Sequence, residues 1–378
     1  MRYDLILKGG QLLDPAAGLE ARRDVAFASG RVAAVDADIP REVARETVDV
    51  GGAYVAPGLI DLHAHAFIAG HDLGIETDPI CAATGVTTLC DAGSTGAANF
   101  TGLREYVMAR AETRVLAFLH LSAIGLSHLP IGEHAFLEYS DPDLAAGVAR
   151  EHRDVVLGIK VREQVEVVGG HGLEPLRRGL RAAAAAGVPV IVHVNNPPAE
   201  YGDVLALLRP GDIVSHFFHG RGSGILDDRG RIKPAVQDAR RRGVVFDVAH
   251  GRNHVSFPVV RKAFEQGFYP DTISSDLTRP GRAGVVKDLP TTLSKFLSLG
   301  MPLGEVVRAA TATPARAIGR SGDLGTLRVG AAGDAAVFVV EDGRFSYQDA
   351  DTNTIEGTKR WSPRLTVRAG RVWWRALP

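Results

Sequence analysis

Two histidines separated by one alanine close the apolar stretch GLIDLHAHAF, residues 58–67. Residues two apart on a strand point to the same face. His63 and His65 therefore project together, and their neutral imidazole nitrogens can share one metal ion. The same parity joins Lys160 to Arg162 in VVLGIKVRE and His193 to Asn195 in VPVIVHVN. His216 falls in DIVSHFFHG and Asp276 in DTISSDLT. A lone His–x–His is as often structural as functional. Four histidines, a lysine and an aspartate, all at the ends of apolar runs, point to a metal site if those ends meet.

The order of elements says how they could meet. Eight short, β-branched runs are spaced through the middle of the chain: 55–65, 86–93, 114–123, 155–163, 188–195, 212–220, 244–251 and 271–278. Helix-like stretches rich in Ala, Arg, Leu and Glu lie between them. EPLRRGLRAAAAAG (174–187) and KPAVQDARRRG (233–243) each end in a glycine suited to a helix C-terminus. Strands alternating with helices imply parallel pairing, and eight such units over about 250 residues match an α/β fold of the (β/α)8 TIM-barrel type. A doubly wound open sheet is the rival, but it would place a Gly-rich phosphate loop after its first strand, where this chain has HAHAFIAG. In a barrel the catalytic face is the C-terminal end of the strands, where the six residues fall. Both ends of the chain are different: DLILKGGQLLDP, RDVAFASGRVAAVDA and RLTVRAGRVWWRAL alternate apolar and polar residues, with glycine turns.

Bulk properties exclude several classes. The 378 residues are 45% hydrophobic and carry 43 basic against 44 acidic side chains, without a long basic run, so nucleic acid is not expected as a partner. Cys81 and Cys90 lie in apolar surroundings and read as buried, inert thiols of a reducing compartment. No stretch reaches about 18 unbroken apolar residues and the N-terminus lacks a signal-peptide pattern, so the expectation is a cytoplasmic protein away from the membrane.

The set His63, His65, Lys160, His193, His216 and Asp276 resembles the amidohydrolase superfamily of metal-dependent hydrolases, over nearly the whole chain. GTLRVGAAGDAAVFVV looks like the family's returning strand and TATPARAIG like the helix before it. The resemblance implies a TIM barrel over 55–322 and a small β-sandwich built from 1–54 and 323–378. It also implies two divalent metal ions, zinc being the expectation. His63, His65 and Asp276 would hold one, His193 and His216 the other, with Lys160 between them as a CO2-derived carbamate (a carboxylysine). In such enzymes a hydroxide bridging the metals attacks a carbonyl carbon, and Asp276 would carry the proton from nucleophile to leaving group. Some relatives lose the metal ligands and act as assembly partners; all six positions are filled here. Homo-oligomers are common in the family.

For the substrate, Arg162 could clamp a carboxylate with two hydrogen bonds or pair with a loop acid. Asn195 and His250 are further candidate contacts. His219 has the opposite parity from His216, and His254, His171, His134, His128 and His71 are given no role. Dihydroorotases carry His–x–His–x–Arg, whereas this chain has Phe67 at the arginine position. GIKVR, VHVNNPP, SHFFHG and DVAHG look like a dihydroorotase-like subgroup of deacetylases. The reading is therefore a hydrolase that removes an acyl group, acetyl above all, from a small α-substituted carboxylic acid. The alternative is a cyclic amidohydrolase of dihydroorotase or hydantoinase type that opens a ring amide.

Overall fold

The computed structural model describes residues 1–377. The alternating middle of the chain builds a seven-stranded parallel sheet: β1 (Leu59–Ala64), β2 (Val86–Gly96), β3 (Arg114–His120), β4 (Val156–Glu163), β5 (Val190–Val194), β6 (Ile213–Ser215) and β7 (Val245–Asp247). Each strand pairs with the next in sequence, so every C-terminal end lies on one side. The connecting helices behave as their sequences suggest. Glu174–Ala186 buries Leu176, Ala182 and Ala183, and Gly187 ends it at φ +71°, its N–H donating to the carbonyls of Ala183 and Ala184. Burying a leucine such as Leu176 stabilises by about 2 kcal/mol.

The expected eighth strand is not a regular strand. Residues 272–277 instead tie the two edges of the curled sheet together. Thr272 bridges Asp247 of β7 and Leu277 bridges Ala64 of β1, both in parallel. The reason is local. Ser275 N–H donates to the Asp61 carboxylate (2.9 Å) rather than to a neighbouring strand, and Asp276 turns left-handed at φ +48°. That turn lets Asp276 N–H donate to His63 O at 2.6 Å.

The first expected run also divides. Tyr54–Pro57 belongs to the other sheet and Leu59–Ala64 to the parallel one. The crossing is at Gly58, where a Cβ would stand 2.2 Å from Thr87 Oγ1. The second sheet has eight strands drawn from both ends of the chain. Tyr3–Asp14 is flanked by Leu19–Ala28 on one side and by Ala44–Asp49 and Tyr54–Pro57 on the other. Ala335–Gln348 then pairs antiparallel with Tyr54–Pro57, followed by Thr354–Arg368 and Arg371–Arg375. The terminal segments thus share one hydrogen-bonded sheet around its own core, which includes Leu5, Leu7, Phe27, Val55, Val337 and Val367. Cys81 and Cys90 are free and buried. Among the described residues no helix is long and apolar enough to cross a membrane.

Asp334 links the two sheets. It is buried and accepts from Arg114 Nη1 (2.7 Å), Arg368 Nη1 (3.2 Å) and Ala369 N–H (2.9 Å), while its carbonyl accepts from Gly58 N–H (2.9 Å). Replacing it with Ala leaves two half-buried guanidiniums without an acid. The expected loss is about 2–3 kcal/mol of unfolding free energy by urea titration, and an unchanged midpoint would refute this linking role.

Candidate metal centre

The strand ends deliver their side chains to one mouth, a cavity of about 370 Å³. His63 and His65 from β1, Lys160 from β4, His193 from β5 and Asp276 from the 272–277 tie all line it. His216, just past β6, lies behind the lining and completes the cluster. Its ring centroid is 5.1 Å from that of His63 and 4.1 Å from that of His193. Asp276 stands at the centre: Oδ1 is 3.2 Å from His65 Nε2 and 3.7 Å from His63 Nε2. Lys160 is buried, and its Nζ donates to His63 Nε2 at 3.0 Å.

Hydrogen bonds fix the tautomers of His63 and His216. His63 accepts at Nε2, so its Nδ1–H faces Ser215 Oγ at 3.2 Å, and Ser215 Oγ donates to Asp247 at 3.2 Å. Asp247 is buried and also accepts from Thr272 and Ser274. His65 Nδ1 contacts Ser94 Oγ at 3.0 Å, and Ser94 N–H donates to buried Asp91 at 2.7 Å. His216 Nδ1 must carry a proton, because its partner is the carbonyl of Ala249 (2.7 Å). Its Nε2 is then a bare lone pair, buried and without a hydrogen-bond partner. An imidazole so arranged can serve as a metal ligand.

Burial disfavours the charged form of three of the rings and of the lysine. It holds the His63, His193 and His216 rings well below the ordinary histidine pKa, helped by the neighbouring cations and rings. It lowers Lys160 to about 7, where Asp276 and Asp247 oppose the fall and Arg162 adds to it.

Two groups fit metal-ligand geometry: His63, His216 and Asp276, and His193, His216 and His254. His254, which sequence reasoning left without a role, therefore belongs to the site. Its ring centroid is 4.0 Å from that of His216, and Nε2 is 3.6 Å from Asp276 Oδ2. Asn195 Nδ2 donates to its Nδ1 at 2.8 Å. The missed signal was the segment HGRNH itself, a polar turn directly after a barrel-type strand.

Sequence reasoning misplaced His250 as a substrate contact. It is fully buried away from the mouth, accepting at Nε2 from Lys295 Nζ (2.8 Å) and donating from Nδ1 to Gly251 O (2.9 Å). Arg162 does reach the mouth, but its Nη1 pairs with buried Glu133, the loop-acid alternative. Asn195 lines the cavity, with its Nδ2 on His254.

A model of the amidohydrolase family matches residues 54–372. The chain belongs to the amidohydrolase family. It is 36% identical over 342 residues to a deacetylase of Agrobacterium fabrum, covering 89% of this chain and 83% of that one. A crystal structure described as an adenine deaminase superposes with a TM-score of 0.92 at 31% identity, covering 99% of this chain and all of that one. One described as a dihydroorotase gives 0.88 at 34% identity, with 97% of each chain covered. These amidohydrolases share the architecture and differ in named reaction. The family makes the chain a hydrolase; what it acts on has to come from the cavity.

The lowered Lys160 pKa has a stability consequence. Between pH 7 and the ordinary value of 10.5, the unfolded chain holds a proton on Lys160 that the folded chain does not. Stability of metal-free protein should therefore rise with pH across that window. Lys160→Met should flatten part of this rise in chemical denaturation series, and an identical slope in both proteins would contradict the burial argument.

Proposed function

We propose that this amidohydrolase removes an acyl group, acetyl above all, from a small α-substituted carboxylic acid, using two divalent metals held at the mouth. The observation that carries the reading is the bare Nε2 of His216, aimed into a buried cluster of imidazoles around one carboxylate. His63, His65 and Asp276 would hold one metal, and His193 and His216 the other, with His254 within reach of the second group. A donor set dominated by imidazole suits zinc. Bound there, the metals would acidify a water and polarise the scissile carbonyl.

The chain's own residues supply the rest. The Lys160 amine, lowered to about 7 by burial and so partly neutral there, would add to CO2 and release a proton, becoming an anion between the two ligand groups. Asp276 would take the proton of the attacking water at one oxygen and deliver it to the departing alkoxide or amine. Its Oδ2 lies 3.6 Å from His254 Nε2. The curled sheet with its 272–277 tie is read as the family's closed (β/α)8 barrel over 55–322, with 1–54 and 323–378 as the adjoining β-domain. An acyl carboxylate is favoured over a ring amide of dihydroorotase type by Phe67 at the position where such enzymes carry arginine.

Asp276→Asn should keep the fold by circular dichroism and lower kcat about 10²- to 10⁴-fold. Near-normal turnover in that variant would remove Asp276 from proton transfer. A panel of acetylated 2-hydroxy acids, N-acyl-amino acids, dihydroorotate and hydantoins tests the substrate class. Fast ring opening with no deacylation would replace the reading by the cyclic amidohydrolase one.

A further inference from the structure

The cavity is built of two unlike arcs. Following the strand order, the loops after the 272–277 tie, β1, β3 and β4 contribute Pro280, Leu73, Leu126, Leu129, Pro130 and Val167 to the lining. The only cation of that arc at the mouth, besides Lys160, is Arg162, and Glu133 pairs with it. The loops after β6 and β7 are different. Each carries the tripeptide His–Gly–Arg, at 219–221 and 250–252. In both, the histidine is buried while the arginine is exposed and lines the cavity. Among the described residues, neither Arg221 nor Arg252 lies within 4.0 Å of a carboxylate.

The β6 loop is tied to a cluster residue, His219 N–H donating to His216 O at 3.0 Å. Arg221 N–H donates to His219 Nδ1 at 3.3 Å, and Arg252 is two residues from His254, which Asn195 holds. The remaining acid of the lining besides Asp276, Glu166, accepts from Asn196 Nδ2 at 3.4 Å. Arg221 feels Glu166 only at longer range, so both guanidiniums beside the cluster lack a close ion-pair partner; a planar fork of this kind matches a carboxylate.

We propose that Arg221 and Arg252, not Arg162, bind the carboxylate of the substrate, and that the apolar arc opposite receives its α-substituent. This rests on the acyl-carboxylate reading above. It makes the β6 and β7 loops the specificity-determining part of the site, with Glu133 neutralising the arginine that would otherwise compete for the anion.

The test compares hydrolysis of 2-acetoxypropanoate with that of its uncharged amide, 2-acetoxypropanamide. Wild type should prefer the anion, and R221M/R252M should lower the ratio of the two kcat/KM values roughly tenfold or more. A ratio that survives in R221M/R252M and falls in R162M overturns the assignment. Calorimetry with lactate, which needs no turnover, judges the arginines separately. Binding to wild type that is lost in R221M/R252M supports them; equal binding to both proteins, or none to either, overturns them. If wild type hydrolyses neither ester, the proposed reaction fails and the lactate result still decides the binding claim.

Discussion

Everything in the site follows from enclosing an amine and several imidazoles around a single central carboxylate. Lys160 is buried, and its hydrogen-bond partner is the imidazole of His63 rather than an acid. In so little water the protonated forms of Lys160, His63, His193 and His216 are all disfavoured. The result is a concentration of lone pairs with too little negative charge to neutralise two cations. That imbalance is poor for a folding core. It is what a centre needs if it is to receive metal ions and an additional anion.

The fold carries this arrangement through a layer of buried aspartates that face the backbone and hydroxyls. Asp91 accepts from Ala66 and Ser94 N–H and so sets His65 through Ser94. Asp247 sets His63 through Ser215, and Asp61 holds Ser275 next to Asp276. Three non-glycine residues, His216 after β6, Ala249 after β7 and Asp276 in the 272–277 tie, adopt left-handed backbone at φ +68°, +40° and +48°. Each such conformation costs on the order of 1–3 kcal/mol and persists only where its surroundings over-determine it. The hydrogen bonds of His216 N–H to Asp247 O (3.1 Å) and Asp276 N–H to His63 O (2.6 Å) do so here. Irregular backbone at the end of the sheet is therefore part of how the ligands are aimed.

Parity and punctuation made much of this legible in the sequence. The His63/His65 spacing, the glycine-ended helices and the alternation of runs sufficed to place the six candidate ligands around one mouth. Parity also puts Asp61 on the face of His63 and His65, and acids inside apolar runs, such as Asp91 and Asp247, are rarely without a partner. What stayed hidden was set by irregular backbone. His254 and Arg252 reach the cavity and His250 does not, because the chain leaves strand geometry after Asp247 and period-two counting stops applying. The eighth run lost its regular pairing to the Asp61 side chain, a competition between a carboxylate and a strand edge that pattern alone cannot weigh. The Arg162–Glu133 pair joins residues 29 apart through a loop without a periodic signature.

On the proposed reading the buried cluster of lone pairs holds metal, with a carbamate on Lys160 supplying further negative charge. Elemental analysis of protein purified without chelator, compared with Lys160→Met, measures it most directly. The account gives about two equivalents of divalent metal per chain in wild type and about one or fewer in Lys160→Met. Wild-type protein that retains no stoichiometric metal after growth and dialysis in zinc-supplemented buffer, or a Lys160→Met variant with undiminished metal content, would contradict it.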